Sequence, residues 1–159
     1  MTLDTRLVRH GANHFMLPRV VVILSPEPAG EAGLPLSGAE SGPLDENLKA
    51  LEPFLGSWRG EFKSSTPEKP LLDVSLWERA LNGKAVRITH SINEGVYGGE
   101  TIVRWDAEKK TIVYHYFSTA DFRTEGTMKV NGKTLECHEV VIGNAGGAAE
   151  VKATIELKG

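Results

Sequence analysis

The sequence predicts an all-β fold, an antiparallel meander of about eight strands that closes into a lipocalin-like β-barrel. Turn signals recur roughly every eight to twelve residues between Leu71 and Leu157, and Asn82-Gly83 and Asn131-Gly132 are the clearest of them. Short segments of alternating apolar and polar residues lie between the turns, and Gly143–Gly147 separates the last two segments. Evenly spaced turns joined by alternating segments are typical of up-and-down sheets, and a long enough sheet closes on itself.

Length and composition indicate one globular domain preceded by a segment of different character. The chain has 159 residues, of which 40% are hydrophobic and 25% charged, as in ordinary globular proteins. Residues 1–44 hold several prolines and glycines and no sustained hydrophobic period. We therefore expect a flexible, poorly ordered N-terminal segment with a short extended piece around Val20–Leu24. The barrel domain is assigned to residues 45–159.

Charge and hydropathy exclude some partners and leave the localisation open. The formal net charge of -3 argues against nucleic acid as a partner, because phosphate binding requires a basic surface. No apolar stretch approaches the ~20 residues that cross a bilayer, so no membrane span is expected. Val20–Leu24 follows Arg19 as in a secretory signal, but this run is shorter than the roughly 7–15 residues of a signal core. A cytoplasmic location is favoured, with a secreted or periplasmic one as the alternative.

A short helix is the first element predicted in the barrel domain. Apolar residues recur at three- and four-residue steps and form one stripe: Leu44, Leu48, Leu51 and Leu55. Asp45 can cap the free amides at the start of this helix. Pro53 removes an amide donor and disfavours helix for Glu52, so the helix is expected to end there. Such a helix typically plugs or covers one end of a barrel.

The strands follow from the alternation and the turns. We expect eight of them, near residues 56–64, 71–81, 84–92, 99–106, 110–119, 122–130, 133–142 and 148–158. The first strand opens with Leu55-Gly56-Ser57-Trp58-Arg59-Gly60, a Leu-Gly-x-Trp-x-Gly pattern directly after the helix. With this motif and the hairpin Trp77–Lys84, the chain from Leu44 to Gly159 resembles the calycin superfamily. The resemblance is to its nitrobindin-like and lipocalin-like bacterial domains of unknown function.

The resemblance carries two further implications. Nitrobindin-like relatives usually have ten strands, so the last hairpin is expected to be missing and the barrel to have an open seam. The edges of such a seam could pair between chains, which makes a homodimer an expected partner. Haem is the cofactor that the resemblance suggests, but the haem-ligating His of these relatives lies in a C-terminal stretch without a counterpart here. The haem site is therefore not carried over.

Register arguments predict which side chains face the lumen. Two-residue turns at Asn131-Gly132 and Ala120-Asp121 pair Gly126 with both Cys137 and His115. The inward set is then Val113, His115, Phe117, Phe122, Thr124, Met128, Leu135, Cys137, Glu139 and Val141. The same register puts two aromatic side chains on the outer face, those of Tyr114 and Tyr116.

The hairpin at Asn82-Gly83 contributes further lumen candidates. It pairs Trp77 with Ile88 and Ser75 with His90. Both faces of this hairpin mix apolar and polar residues, so the period alone does not decide which face lies inside. The complete set of candidate ligand-binding residues in the lumen is His115, Glu139, Thr124, Phe117, Phe122, Met128, Trp77 and His90.

The polar lumen candidates allow two interpretations. A buried His115 near Glu139 would make an acid–base pair or a polar anchor for a ligand. Alternatively, His115, Glu139 and Thr124 hydrogen-bond to one another or to buried water. Cys137 is expected to be a small buried hydrophobe, because no basic residue lies beside it to activate the thiol. No catalytic residue is assigned, and the histidines do not have the spacing of a metal site.

The leading hypothesis for the function is a non-enzymatic binding protein that holds a small, mostly apolar molecule in the barrel lumen. A haem-binding protein of the nitrobindin-like kind is one alternative, and it requires His115 or His90 as the iron ligand. An isomerase or hydratase that uses the His115–Glu139 pair is a second alternative. The third is a structural or assembly domain whose barrel is filled by its own side chains.

Overall fold

The computed structural model describes residues 19–26, 42–62, 66–143 and 149–158, without the side chains of 19–26 and of residue 61. The strands in these ranges are β1 (Arg19–Pro26), β2 (Gly56–Phe62), β3 (Leu72–Ala80), β4 (Ala85–Ile92), β5 (Tyr97–Asp106), β6 (Thr111–Ser118), β7 (Arg123–Asn131), β8 (Thr134–Ile142) and β9 (Ala149–Leu157). The predicted all-β fold is confirmed. The expected flexible segment over residues 1–44 lies mostly outside the described residues, and its extended piece is β1.

Strands β2 to β9 form the predicted meander, in which each strand pairs antiparallel with the next one along the chain. The expected eight strands match β2 to β9 in order and overlap each of them closely. Alternation and turn residues are local signals, and these hairpins are local pairings, so the sequence predicts them well.

The barrel is closed by β1, which the meander alone does not include. Leu24 pairs antiparallel with Gly60 of β2, and Val22 pairs in parallel with Ile155 of β9. The open seam that the resemblance implied is therefore wrong, because β1 fills the gap between β2 and β9. A homodimer through open edges loses its structural basis at this seam, and dimerisation by another surface is a separate question.

A 3-10 helix, Glu46–Phe54, covers one end of the barrel. The carboxylate of Asp45 caps it by accepting the backbone N–H of Asn47 at 3.0 Å, as predicted. The helix runs past Pro53 and is tighter than an α-helix, so side chains at three-residue steps share one face. Its fully buried side chains are accordingly Leu48, Leu51 and Phe54. Phe54 takes the core position that the α-helical period assigned to Leu55.

The helix and the strands share one core at this end of the lumen. The helix packs there against fully buried strand residues, among them Val86, Val103 and Leu135. The ring of Phe54 lies 5.9 Å from that of Trp77, which separates this packed end from the rest of the lumen. Trp58 of the Leu-Gly-x-Trp-x-Gly motif fixes the helix to β2, because its indole N–H donates to the carbonyl of Phe54 at 2.6 Å.

Two of the three predicted registers give the observed faces. The β3–β4 pairing is as predicted, with Trp77 opposite Ile88. In the β7–β8 hairpin, Met128 pairs with Cys137, because the two-residue turn is Gly132-Lys133 and not Asn131-Gly132. The centre of the hairpin therefore lies one residue later in the chain than predicted. The cross-strand partners change, but the side chains that face the lumen stay the same.

The third predicted register, between β6 and β7, is wrong. Tyr116 pairs with Thr124 and Tyr114 with Gly126. The last pair is Phe117 with Arg123, so five residues separate the paired positions instead of the two of a tight turn. This odd difference in loop length reverses the faces of β6. Tyr114 and Tyr116 therefore point into the barrel. The side chains that replace them on the outer face are those of His115 and Phe117, both exposed.

Candidate functional site

The lumen contains a cavity of about 290 Å³ on the far side of Trp77 from the helix. Its apolar walls are formed mainly by Phe62, Trp77, Ile88, Met128, Ala153 and Ile155. Its polar side chains are concentrated on β3 to β6 and β8, and they include Asp73, His90, Tyr97, Tyr114, Tyr116 and Glu139. An apolar cavity with a few convergent polar groups is the usual form of a small-molecule site.

A chain of hydrogen-bonded side chains crosses from β3 to β6 along one wall. Nδ1 of His90 lies 3.0 Å from Oδ1 of Asp73, and Nε2 lies 3.0 Å from Oη of Tyr116. The hydroxyl groups of Tyr116 and Tyr97 are 2.8 Å apart. Because Tyr116 Oη also lies 3.2 Å from the carbonyl oxygen of Gly98, its single proton has several acceptors within reach.

Protonation decides the direction of these hydrogen bonds. When Asp73 is ionised, Nδ1–H of His90 donates to it, and Nε2 of a neutral imidazole accepts the proton of Tyr116. Burial raises the pKa of Asp73, and the hydrogen bond with His90 opposes that rise. Burial also raises the pKa of Tyr97 and of Tyr116, so both phenols stay protonated and act as hydrogen-bond donors.

A second polar group is centred on Glu139 of β8. Its Oε2 accepts hydrogen bonds from the hydroxyl of Thr124 at 2.8 Å and from that of Tyr114 at 3.0 Å. Burial raises the pKa of Glu139, and these two donors oppose the rise. Cys137, two residues earlier on the same face, is a buried thiol whose pKa burial raises to about 12. Its burial agrees with the prediction that Cys137 is a small buried hydrophobe.

Glycines on neighbouring strands provide the space for the rings of the two inward tyrosines. A Cβ atom on Gly126 would lie 2.6 Å from Cζ of Tyr114 and 2.7 Å from its hydroxyl oxygen. A Cβ atom on Gly99 would overlap the ring of Tyr116 in the same way. The predicted register puts Gly126 opposite His115, but the side chain that fills the space beside Gly126 is Tyr114.

The structure brings together half of the predicted lumen set at the cavity itself. The residues of that set that line the cavity are Trp77, His90, Met128 and Glu139. Thr124 is buried behind Glu139, and Phe122 stacks on Tyr97 with ring centroids 6.4 Å apart. The prediction that His115 and Phe117 face the lumen is wrong, because the β6 register turns both side chains to the outside of the barrel. There 55% of Phe117 is exposed.

Sequence reasoning missed several polar residues of the site, among them Asp73 and three tyrosines. Asp73 lies two residues before Ser75 on the same strand face, so alternation could have found it once that face was assigned to the lumen. Tyr114 and Tyr116 were assigned to the wrong face by the shorter turn. Tyr97 stands at the start of β5, where no pairing argument reached it.

The predicted acid–base pair does not form. His115 is on the outer face of β6, whereas Glu139 lines the lumen. Within the cavity lining, the carboxylate and imidazole that meet are those of Asp73 and His90. The interpretation in which polar groups satisfy one another holds for Thr124 and Glu139, with Tyr114 in the place given to His115.

Haem does not fit the described lumen. His115 is exposed on the outside, and both ring nitrogens of His90 lie within hydrogen-bond distance of Asp73 and Tyr116. An imidazole binds iron through an unprotonated ring nitrogen that faces the metal. Neither histidine offers such a nitrogen to the cavity. In the part of the chain that the structure covers, no three His, Cys, Asp or Glu side chains are grouped as metal ligands.

Comparison with known proteins finds no relative. No family model fits the sequence, no curated protein matches it, and no solved structure matches it. The calycin resemblance therefore stays a prediction, and the function has to be argued from the cavity. Of the helices in the described ranges, none is long and apolar enough to cross a membrane.

Proposed function

We propose that this protein binds a small, mostly apolar molecule with one polar end inside the barrel. The observation that carries the proposal is a cavity of about 290 Å³ with apolar walls and a belt of polar side chains on β3 to β6 and β8. We call these side chains the polar belt. In this belt one carboxylate oxygen of Glu139, Oε1, has no hydrogen-bond partner in the described ranges. The volume and the unpaired acceptor both support a ligand site over a barrel filled by its own side chains.

The size and the walls of the cavity define the ligand. Its volume is at the lower end of the roughly 300–1,000 Å³ typical of ligand sites, which favours a small molecule. Burial of the apolar part against Trp77, Met128 and Ile155 contributes ~25 cal/mol per Å² of surface removed from water. The polar belt fixes which end of the ligand points toward β6 and β8.

The first experiment is native mass spectrometry of the freshly purified full chain, without extraction of small molecules. A discrete added mass is the expected result. The blocking variant Ala153→Leu places a larger side chain in the cavity and should remove the added mass. The neighbouring Thr154→Leu adds bulk outside the cavity lining and should retain it. A bare mass, together with no thermal shift from a panel of small apolar molecules, would favour the filled barrel.

A second candidate function is proton transfer on the bound molecule, and the Asp73–His90–Tyr116 chain is the observation that favours it. The hydroxyl of Tyr116 or Tyr97 could donate a proton to a ligand oxygen, while Glu139 accepts one from carbon. Exchange of ligand C–H for deuterium from heavy water would report this reaction. Tyr116→Phe should then slow the exchange by about a hundredfold or more while binding persists. No exchange in the wild type would leave a binding protein.

A further inference from the structure

The ionisable side chains that line the lumen are mainly acidic. Two carboxyl groups, those of Asp73 and Glu139, line the cavity, and no Lys or Arg side chain does so among the residues that the structure places there. His90 is the only basic group on the described wall, and its Nδ1 is already paired with Asp73 at 3.0 Å. Of the two carboxyl groups in the cavity, only Asp73 therefore has a basic partner on the described wall.

The uncompensated charge is that of Glu139. The groups that touch its carboxylate are the neutral hydroxyls of Tyr114 and Thr124, and both bind the same oxygen, Oε2. His138 is next to it in sequence but is exposed on the outer face, where it lies 3.6 Å from Glu150. A buried carboxylate without a positive partner is costly, and a cationic ligand would remove that cost.

Aromatic rings surround the same region. Tyr97, Tyr114 and Tyr116 line the cavity together with Trp77 and Phe62. Aromatic faces attract cations within about 6 Å of the ring centroid, and the attraction is stronger where water is excluded. A carboxylate ligand would meet Glu139 as a like charge and would find no Lys or Arg side chain on the described wall to bind it.

We propose that the lumen selects a small amphiphile whose polar end is a protonated amine, with the ammonium group bound to Oε1 of Glu139. The inference rests on the proposed function, because it names the chemical class of the molecule that the cavity holds. The apolar part of the amine lies against Trp77, Met128 and Ile155, and the tyrosine rings flank the ammonium group.

The test compares three ligands that share one apolar part. These are 2-phenylethylamine, 2-phenylethanol and phenylacetate, titrated into the full chain by calorimetry at about pH 8, where the amine is charged and an ordinary carboxyl is ionised. We expect the amine to bind at least tenfold more tightly than the alcohol and the carboxylate. A charge-assisted hydrogen bond and the like-charge repulsion of the carboxylate both act in this direction.

Two matched variants assign the preference to Glu139. Glu139→Gln keeps the shape and an acceptor for Tyr114 and Thr124 but removes the charge, and it should weaken amine binding about tenfold or more. Glu136→Gln removes the same charge from the exposed face of β8 and should leave the amine affinity within about twofold. Because the ligand ranking is measured first on the wild-type chain, it does not depend on whether either variant folds.

The outcomes separate the inference from the function on which it rests. If the alcohol or the carboxylate binds as tightly as the amine, the amine inference fails and the proposed ligand-binding function stands. If Glu139→Gln binds the amine as tightly as Glu136→Gln does, Glu139 is not the ammonium site and the inference fails. If none of the three ligands binds at millimolar concentration, the amine inference fails, and the proposed function fails with it only where the native mass spectrum is also bare.

Discussion

At the scale of single residues, the site depends on positions without a side chain as much as on the polar groups themselves. Tyr114 and Tyr116 point into a crowded lumen only because Gly126 and Gly99 leave room for their rings. Tyr114 then reaches Glu139, and Tyr116 reaches His90. The glycines are therefore part of the structure of the site although they bind nothing.

Gly126→Ala should destabilise the protein by about 1–3 kcal/mol, because the new methyl group would collide with the ring of Tyr114 and with the backbone carbonyl of His138. Urea unfolding measures this loss. Thr127→Ala, at the exposed neighbouring position, is the control and should change the free energy of unfolding by about 0.5 kcal/mol or less. Equal stability of the two variants would contradict the inward position of Tyr114.

Glu139 gives the stability of the protein a pH dependence of defined sign. Burial raises its pKa in the folded chain above the ordinary value of 4.5. At pH values between the ordinary and the raised pKa, the folded chain therefore holds more protons than the unfolded chain. Its contribution is therefore present at acid pH and is lost as the pH rises through the raised pKa. Glu139→Gln abolishes this loss.

The stability of Glu139→Gln relative to the wild type should accordingly increase from about pH 4 upward, by about 1.4 kcal/mol per pH unit at the steepest point. Thermal unfolding of both ligand-free chains over a pH series measures the difference. Glu136→Gln, on the exposed face, should show no such trend. A difference that stays flat or falls with pH would mean that burial does not govern the pKa of Glu139.

Sequence reasoning at this scale succeeds where alternation decides and fails where a loop length does. Thr124, Met128 and Glu139 were correctly placed inside because the error in the β7–β8 turn displaced both strands together. Tyr116 was assigned to the wrong face because a two-residue turn was expected between β6 and β7, whereas five residues separate the last paired positions. The difference of three residues is odd, so it exchanges the two faces of β6. Both faces of β6 carry aromatic residues, so composition could not correct the count.

At the scale of the elements, the 3-10 helix determines which end of the barrel is solid. Leu48, Leu51 and Phe54 are fully buried at three-residue steps, and Phe54 packs against Trp77 at the base of the cavity. The sequence predicted the capping residue and the apolar face of this helix. The tighter winding was not predictable from the leucine spacing, because a helical period of 3.6 fits Leu55 as well as a period of 3 fits Phe54.

Phe54→Ala should destabilise the protein by about 3–5 kcal/mol, because it removes a fully buried aromatic ring and leaves a cavity beneath Trp77. Lys49→Ala removes an exposed ion pair with Glu46 on the same helix and should leave the free energy of unfolding nearly unchanged, because solvent screens such a pair. Urea unfolding compares the two variants. Similar free energies of unfolding would show that the helix does not support the barrel.

At the scale of the whole molecule, the barrel depends on a pairing that no local signal announces. The hairpins follow from turns and alternation, but the closing contacts join Val22 to Phe62 on one side and to Ile155 on the other. A run of apolar residues near the start of the chain is compatible with a strand, a signal segment or a tail. The segment forms a strand because β2 and β9 each have an edge that it can pair with, and this long-range condition is not visible in the local sequence.

Val22→Pro should open the barrel between β2 and β9, since proline cannot donate its ladder hydrogen bond in a strand that has a neighbour on each side. Hydrogen exchange should show lost protection in β2 and β9 while β5 and β6 stay protected. Light scattering should show more self-association than in Val22→Thr, because two strand edges become available. Unchanged protection in β2 and β9 would contradict a closed barrel.

The position of β1 has a consequence for how the protein folds. During synthesis β1 leaves the ribosome before the other strands, and its parallel partner β9 is made after all of them. The pairing of Arg19 with Lys152 can therefore form only when the rest of the barrel has been made. Non-local pairings of this kind form slowly, because a long loop must close before any contact is gained. Until then the apolar interior faces the medium through an unfinished wall. Under the proposed function, a ligand could enter at that stage and be enclosed when β1 pairs with β9, so that ligand binding and folding would be one event.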